Sequence, residues 1–205
     1  MSERAHPDDS GFQDHWSIRW RRGFVPWPTV TRSPYRAAFF GRYRWASQYC
    51  KDKDVLDIPC GMGWGTSLIK GCRTLHGMDV AQDAIDEATE RYGRRIHFQV
   101  GDMAKLEFED ENLDVVVCLE GIEHVPEAVG NAFLAESARV LRPQGTLLVS
   151  SPHCRTQEHS GNPFHLKEYK PEELTGMLNA HFTIAETMAR DVDNLTISYF
   201  RAVRR

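Results

Sequence analysis

Within Glu120-Gly121-Ile122-Glu123-His124, two carboxylates and an imidazole fall inside five consecutive residues. Glutamate and histidine are side chains that take up or deliver a proton near neutral pH, and they also ligate divalent ions, so this segment could activate a poor nucleophile such as a hydroxyl. Glu123 and His124 are the catalytic candidates. A second constellation has a different character. The run Cys60-Gly61-Met62-Gly63-Trp64-Gly65 lacks a Cβ at every second position from Gly61, which lets backbone N–H groups approach a bound molecule closely. Aspartates close three consecutive strand-like runs: Asp57 before the glycine turn, Asp79 22 residues later, and Asp102 in Val100-Gly101-Asp102-Met103. An acid about 20 residues beyond such a turn typically accepts hydrogen bonds from a ribose diol, and Asp102 is placed to reach the exocyclic amine of an adenine. The dinucleotide fingerprint G-x-G-x-x-G/A is broken, because Thr66 stands at its sixth position.

These groups need elements that deliver them to one place. Aromatic residues at helical spacing predict a helix over 35–49, with Phe39, Tyr43 and Trp45 facing the body. Strands are predicted at 54–58, 74–80, 96–100, 113–119 and 146–150. Helices are predicted near 66–70, at 82–92, and at 126–141, the last ended by Arg142-Pro143-Gln144-Gly145. A helix from Pro171 to Leu178 precedes two β-rich runs, 182–188 and 194–203, which suit a terminal antiparallel pair. Strands alternating with helices imply an α/β fold, a mostly parallel sheet with helices on both faces. In such a sheet ligands bind beyond the carboxyl ends of the strands, where strand order reverses. Residues 1–34 hold four of the ten prolines and little periodicity, so they read as an irregular arm, able to act as a lid, ahead of a single domain at 35–205.

Composition narrows the classes. The chain has 205 residues, 41% hydrophobic and 26% charged, enough for one well-buried core. Its longest apolar run, 115–119, falls far short of the roughly 20 residues needed to cross a bilayer. No apolar run near the N-terminus resembles a secretory signal. Five cysteines without a CxxC pair suggest neither a disulfide framework nor a zinc knuckle, and point to a reducing cytoplasm. Residues 1–50 carry eight arginines against four acids, while the rest carries 17 basic against 25 acidic residues. Nucleic acid is therefore a disfavoured partner for the body of the chain, though the arm alone is basic.

The segments VLDIPCGMGWGTSLI, HGMDV, GDM, LDVVVCLEGIEHV and LRPQGTLLVSSPH resemble the motifs of class I S-adenosylmethionine-dependent methyltransferases, across about residues 54–152. The resemblance implies a Rossmann-like seven-stranded sheet and S-adenosyl-L-methionine as cofactor. It places Asp57, Cys60, Gly61, Gly63 and Gly65 toward the methionine moiety, Asp79 with Val80 at the ribose, Asp102 with Met103 near the adenine, and Glu120 beside the cofactor. Pro59 departs from the family's usual glycine or alanine and removes one N–H donor. A narrower likeness, in Arg22-Gly23-Phe24-Val25-Pro26, Arg42-Tyr43-Arg44-Trp45 and Asn162 to Tyr169, is to methyltransferases associated with bacterial cell-surface polysaccharide synthesis.

The ExxEH segment also resembles the metal-binding segment of small-RNA 2′-O-methyltransferases and ubiquinone-pathway O-methyltransferases, and His165 resembles the distant histidine ligand of the former. That likeness implies a ligand set of Glu120, Glu123, His124 and His165 for Mg2+ or Mn2+. The expected function is a cytoplasmic methyltransferase acting on a hydroxyl of a sugar, glycan precursor or small polar metabolite. The alternatives are a metal-dependent RNA 2′-O-methyltransferase, a quinone- or lipid-intermediate O-methyltransferase, and a catalytically inactive scaffold that binds the cofactor. The acceptor site is expected to include His153, and Trp16, Trp20, Phe24 and Trp27 are expected to cover it or to pack on the body.

Overall fold

The structure is a computed structural model that describes residues 15–21, 25–31 and 34–205, with side chains from Arg36 onward. Its central sheet follows from a run of residues with two apolar faces. In β6 (Leu113–Leu119), Val115 and Val117 enter one hydrophobic cluster while Val116 and Cys118 enter another. Successive strand residues point to opposite faces, so a strand apolar at every position must be covered on both sides. The cover on one side is α1 (Pro34–Ser47), through Ala38, Phe39, Tyr43 and Trp45. On the other side lie α3 (Glu127–Val140) and α4 (Pro171–Leu178), through Phe133, Leu134, Leu174 and Leu178.

Seven strands pair in the order β5 (His97–Val100), β4 (Thr74–Asp79), β3 (Asp54–Asp57), β6, β7 (Leu141–Cys154), β9 (Leu195–Arg204), β8 (Phe182–Val192). The first five are mutually parallel, and β9 runs antiparallel to both β7 and β8. This is the Rossmann-like, mostly parallel sheet with an antiparallel terminal pair that the sequence predicts. The chain moves outward from β3 through α2 (Gln82–Tyr92) to β5, then returns to β6 on the other side of β3. The switch between β3 and β6 opens the crevice in which ligands of such sheets bind.

Three local expectations are corrected. The helix predicted near 66–70 is a single 3-10 turn, Thr66–Leu68, because Ile69 leaves it in an extended conformation and buries its side chain. The predicted break at Arg142-Pro143-Gln144-Gly145 ends α3 but lies inside β7. Leu141 pairs with Leu113, the register then shifts, and Thr146 pairs with Val115, with Gln144 at a φ of 64° in the bulge. Part of the segment read as an irregular arm is regular. β1 (His15–Arg21) and β2 (Val25–Thr31) form an antiparallel pair, with Trp20 opposite Pro26 and Ile18 opposite Pro28. A two-stranded ribbon has two free edges, where proline's missing N–H costs no ladder bond. The side chains of Trp16, Trp20, Phe24 and Trp27 lie outside the described residues.

Candidate functional site

A cavity of about 530 Å³ opens where β3, β4, β5 and β6 end. One wall is the turn after β3. Asp57 closes the strand, a cis Ile58-Pro59 bond follows, and Gly61 turns at a φ of 51°, a left-handed conformation that glycine adopts without strain. A Cβ on Gly61 would meet nothing within 4 Å, so the missing side chain leaves open space at the cavity wall. The turn is tied to the next strand: Gly61 N–H donates to Asp79 Oδ2 at 2.9 Å, and Ala81 N–H donates to Asp79 Oδ1 at 3.0 Å. A carboxylate accepts about four hydrogen bonds, so Asp79 keeps acceptor capacity toward the cavity it lines. Beside it Val80 is 76% exposed, an apolar surface with no protein cover. Asp102, anchored by Ala104 N–H at 2.8 Å, and the buried Met103 complete this end.

The opposite end is built by α1 and the segment after β6. Phe39, Arg42 and Tyr43 share one face of α1, and all three line the cavity. Phe39 stacks on Trp64 at 4.3 Å between ring centroids, and the Arg42 guanidinium lies over the Phe39 ring at 4.7 Å. Arg42 also pairs with Glu120 at 3.3 Å, and Glu120 accepts a 2.7 Å hydrogen bond from the Ser150 hydroxyl. A cation and an anion side by side on a cavity wall match the carboxylate and ammonium of an amino-acid moiety.

Below Glu120, the 3-10 turn Ile122–His124 carries Glu123 and His124. Glu123 is 0% exposed and neither carboxylate oxygen has a hydrogen-bond partner among the described residues. Burial, reinforced by the charge of Glu120, pushes its carboxyl well above the usual carboxylate range. Its backbone carbonyl accepts from Leu166 N–H at 2.8 Å, which docks the late loop of residues 162–169 against the turn. That docking brings His165 to His124, 5.1 Å between ring centroids. Pro163, Phe164 and Leu166 of the same loop line the cavity, and Leu166 is 60% exposed.

Of the residues chosen from sequence, Cys60, Gly61, Gly65, Asp79, Val80, Asp102, Met103, Glu120 and His124 line this one cavity. Asp57, Gly63, Glu123 and His165 stand behind its walls. Asp57 is 0% exposed and accepts a 2.6 Å hydrogen bond from the Thr66 hydroxyl, so it braces the loop from inside. Gly63, at a φ of 75°, leaves room for Phe98, whose Cζ lies 2.7 Å from where a Cβ would be. Glu123, His124 and His165 each place one ligating atom within 4.8 Å of the others. Glu120, the fourth residue of the implied metal set, is instead held at a φ of 54° with its carboxylate on Arg42 and Ser150. His153 does not line the cavity. Phe39, Arg42 and Phe164 were not chosen as site residues. An arginine inside an otherwise aromatic helix face was the available signal for Arg42.

Residues 55–145 match the methyltransferase domain family. A probable S-adenosylmethionine-dependent methyltransferase of Mycolicibacterium smegmatis is 35% identical over 152 residues, 71% of this chain and 58% of that protein. Another, from Mycobacterium tuberculosis, is 35% identical over 142 residues, 66% of this chain and 50% of that protein. The chain thus spans little more than half the length of these relatives. Among solved structures, magnesium protoporphyrin IX methyltransferase from Synechocystis with bound SAH superposes with a TM-score of 0.67 at 20% identity, covering 84% of both chains. Residues 55–145 thus resemble a methyltransferase domain, and the sheet that carries them is the Rossmann-like one that such domains have. Among the described residues no helix is long and apolar enough to cross a membrane.

Proposed function

We propose that this chain transfers the methyl group of S-adenosyl-L-methionine to a hydroxyl of a sugar, glycan precursor or other small polar metabolite. The observation that carries this reading is His124 on the cavity wall after β6, with the buried Glu123 behind it, on the other side of β3 from the strands that end at Asp79 and Asp102. When bound, the cofactor would supply a methyl activated by its sulfonium, with a neutral thioether as the leaving group. The residues fit that molecule. Asp79 and Asp102 offer acceptors for ribose hydroxyls and an adenine amine, Val80 and Met103 offer apolar surface for the base, and Arg42 with Glu120 matches the amino-acid end. The chain's own chemical task is to hold the acceptor oxygen in line and take up its proton, because a hydroxyl is a weak nucleophile until deprotonated. The acceptor's proton is what the chain itself would take up. His124 Nδ1 lies 2.9 Å from the Phe164 carbonyl, which can only accept, so the ring proton sits on Nδ1 and the Nε2 lone pair is free to take up a proton or bind an ion. Phe164 gives the acceptor end an aromatic face on which a sugar ring stacks.

The exposed Leu166, with Pro163 and Val125 on the same wall, favours a second reading in which the hydroxyl belongs to a lipid-linked or quinone intermediate. Five free cysteines support a reducing, cytoplasmic setting for either. The test is transfer of labelled methyl to a panel of nucleotide sugars, free glycans and lipid-linked sugars. Methylation of a sugar hydroxyl, lost in His124→Ala, is the expected result. Turnover confined to nitrogen or carboxylate acceptors refutes the hydroxyl assignment.

A further inference from the structure

We infer that Glu123, His124 and His165 form a binding site for one divalent transition-metal ion, at the acceptor end of the cavity. Two independent observations meet here. The first is convergence: His165, 41 positions beyond His124 in the chain, joins Glu123 and His124 so that a carboxylate oxygen and two imidazole nitrogens lie within 4.8 Å of one another. Ligand atoms on one ion at about 2.0–2.2 Å stand roughly 3–3.5 Å apart, so an adjustment of at most about 1.3–1.8 Å per pair closes the set. The second is a buried acid beside Ser151 whose oxygens make no well-formed hydrogen bond. Glu123 is 0% exposed, yet both its oxygens lack a partner among the described residues. A buried polar atom without a well-formed hydrogen bond is costly, and an ion would supply the missing partner.

The surroundings orient both rings for ligation. His124 gives its Nδ1 proton to the Phe164 carbonyl at 2.9 Å. His165 gives its Nδ1 proton to Glu168 Oε1 at 2.7 Å. Each ring therefore carries its lone pair on Nε2. In His165 that atom takes a 3.0 Å hydrogen bond from the Asn162 side-chain amide, a bond an ion would replace. A carboxylate behind a ligating histidine fixes its tautomer and raises its basicity. Glu168 is itself anchored, by Cys154 N–H at 3.1 Å, Ser160 N–H at 3.0 Å and the Ser160 hydroxyl. Glu168 is a positioning residue, one step removed from the ion.

With Glu120 occupied elsewhere, the donor set is two nitrogens and one oxygen. That set suits Mn2+, Fe2+, Co2+ or Zn2+ and departs from the oxygen cage that Mg2+ takes. Three protein ligands leave open positions for acceptor hydroxyls, a role that rests on the methyl-transfer reading, whereas ion binding itself does not.

Calorimetric titration of the full chain, stripped with chelator, with Mn2+, Co2+ and Zn2+ tests the site. One ion per chain is expected, with affinity at least tenfold weaker in His165→Ala and Glu123→Gln, and 10- to 100-fold weaker in Glu168→Gln. S-adenosylhomocysteine affinity, measured on the same samples, is expected to change less than twofold and shows that each variant is folded. If a variant loses that affinity, the wild type decides: visible ligand-field bands with Co2+ support the site, and their absence overturns it. Equal ion affinity in wild type and folded variants also overturns it, with the methyl-transfer reading intact. Ion binding without any affinity for the homocysteine product leaves the site standing and removes that reading instead.

Discussion

Replacing Asp57 with asparagine tests whether this aspartate braces the loop from within. Its carboxyl is 0% exposed, accepts one hydrogen bond from Thr66, and leaves Oδ1 without a partner among the described residues. Burial pushes it up to about 7, opposed by the Thr66 bond and the Arg42 charge and assisted by Asp79. An unfolded aspartate titrates near 3.9. The folded chain therefore binds this proton more tightly than the unfolded chain. Asp57 costs nothing below about pH 4, and its ionisation removes stability progressively as pH rises to about 7, after which the loss is complete. A gap of about 3 pH units at 1.36 kcal/mol each amounts to roughly 4 kcal/mol at most, of which about 3 kcal/mol is lost between pH 5 and pH 8. The asparagine side chain keeps the oxygen that accepts from Thr66 and cannot ionise; whatever its amide costs in packing is the same at both pH values. Urea unfolding of both proteins at pH 5 and pH 8 should show Asp57→Asn gaining about 3 kcal/mol relative to wild type between the two. Parallel pH profiles would refute the argument, and a variant that loses cofactor affinity while gaining no stability would return Asp57 to the ligand-binding set.

Asp79→Ala removes a charged acceptor and unties Gly61 and Ala81, and S-adenosylhomocysteine affinity should fall about 10- to 100-fold, the equivalent of one or two charge-assisted hydrogen bonds. Gly65→Ala places a methyl 2.0 Å from Tyr43 Cζ, so the ring must move, with an expected loss of about 1–3 kcal/mol in denaturant unfolding and weaker cofactor binding. Phe133→Ala empties a fully buried position between α3 and the sheet, and should lose about 3–5 kcal/mol with no direct effect on the cavity.

The fold was largely legible because its signals are local. The bounds of α2, β6 and α4 agree with the sequence reading, since periodicity and the turn residues around them act over a few positions. The ribbon at 15–31 also carries a local signal, Trp16, Ile18 and Trp20 alternating with polar residues, but its prolines obscured it. The end of the cavity at Asp79 and Asp102 was legible for a similar reason: each residue sits where a strand stops, and strand ends are visible in sequence. The end after β6 depends on long-range contacts. Nothing in ExxEH shows that Glu120 adopts a positive φ and turns to Arg42, 78 positions away, while Glu123 points inward. Nor does any local pattern show that Leu166 N–H would find the Glu123 carbonyl and so carry His165 to the cluster.

One molecule must fit the cavity at the strand ends for the methyl-transfer assignment to hold. Calorimetry of the full chain with S-adenosylmethionine and S-adenosylhomocysteine measures that directly. Binding of one molecule per chain, weakened at least tenfold by Asp79→Ala, is the predicted result. A folded protein that binds neither compound contradicts the assignment.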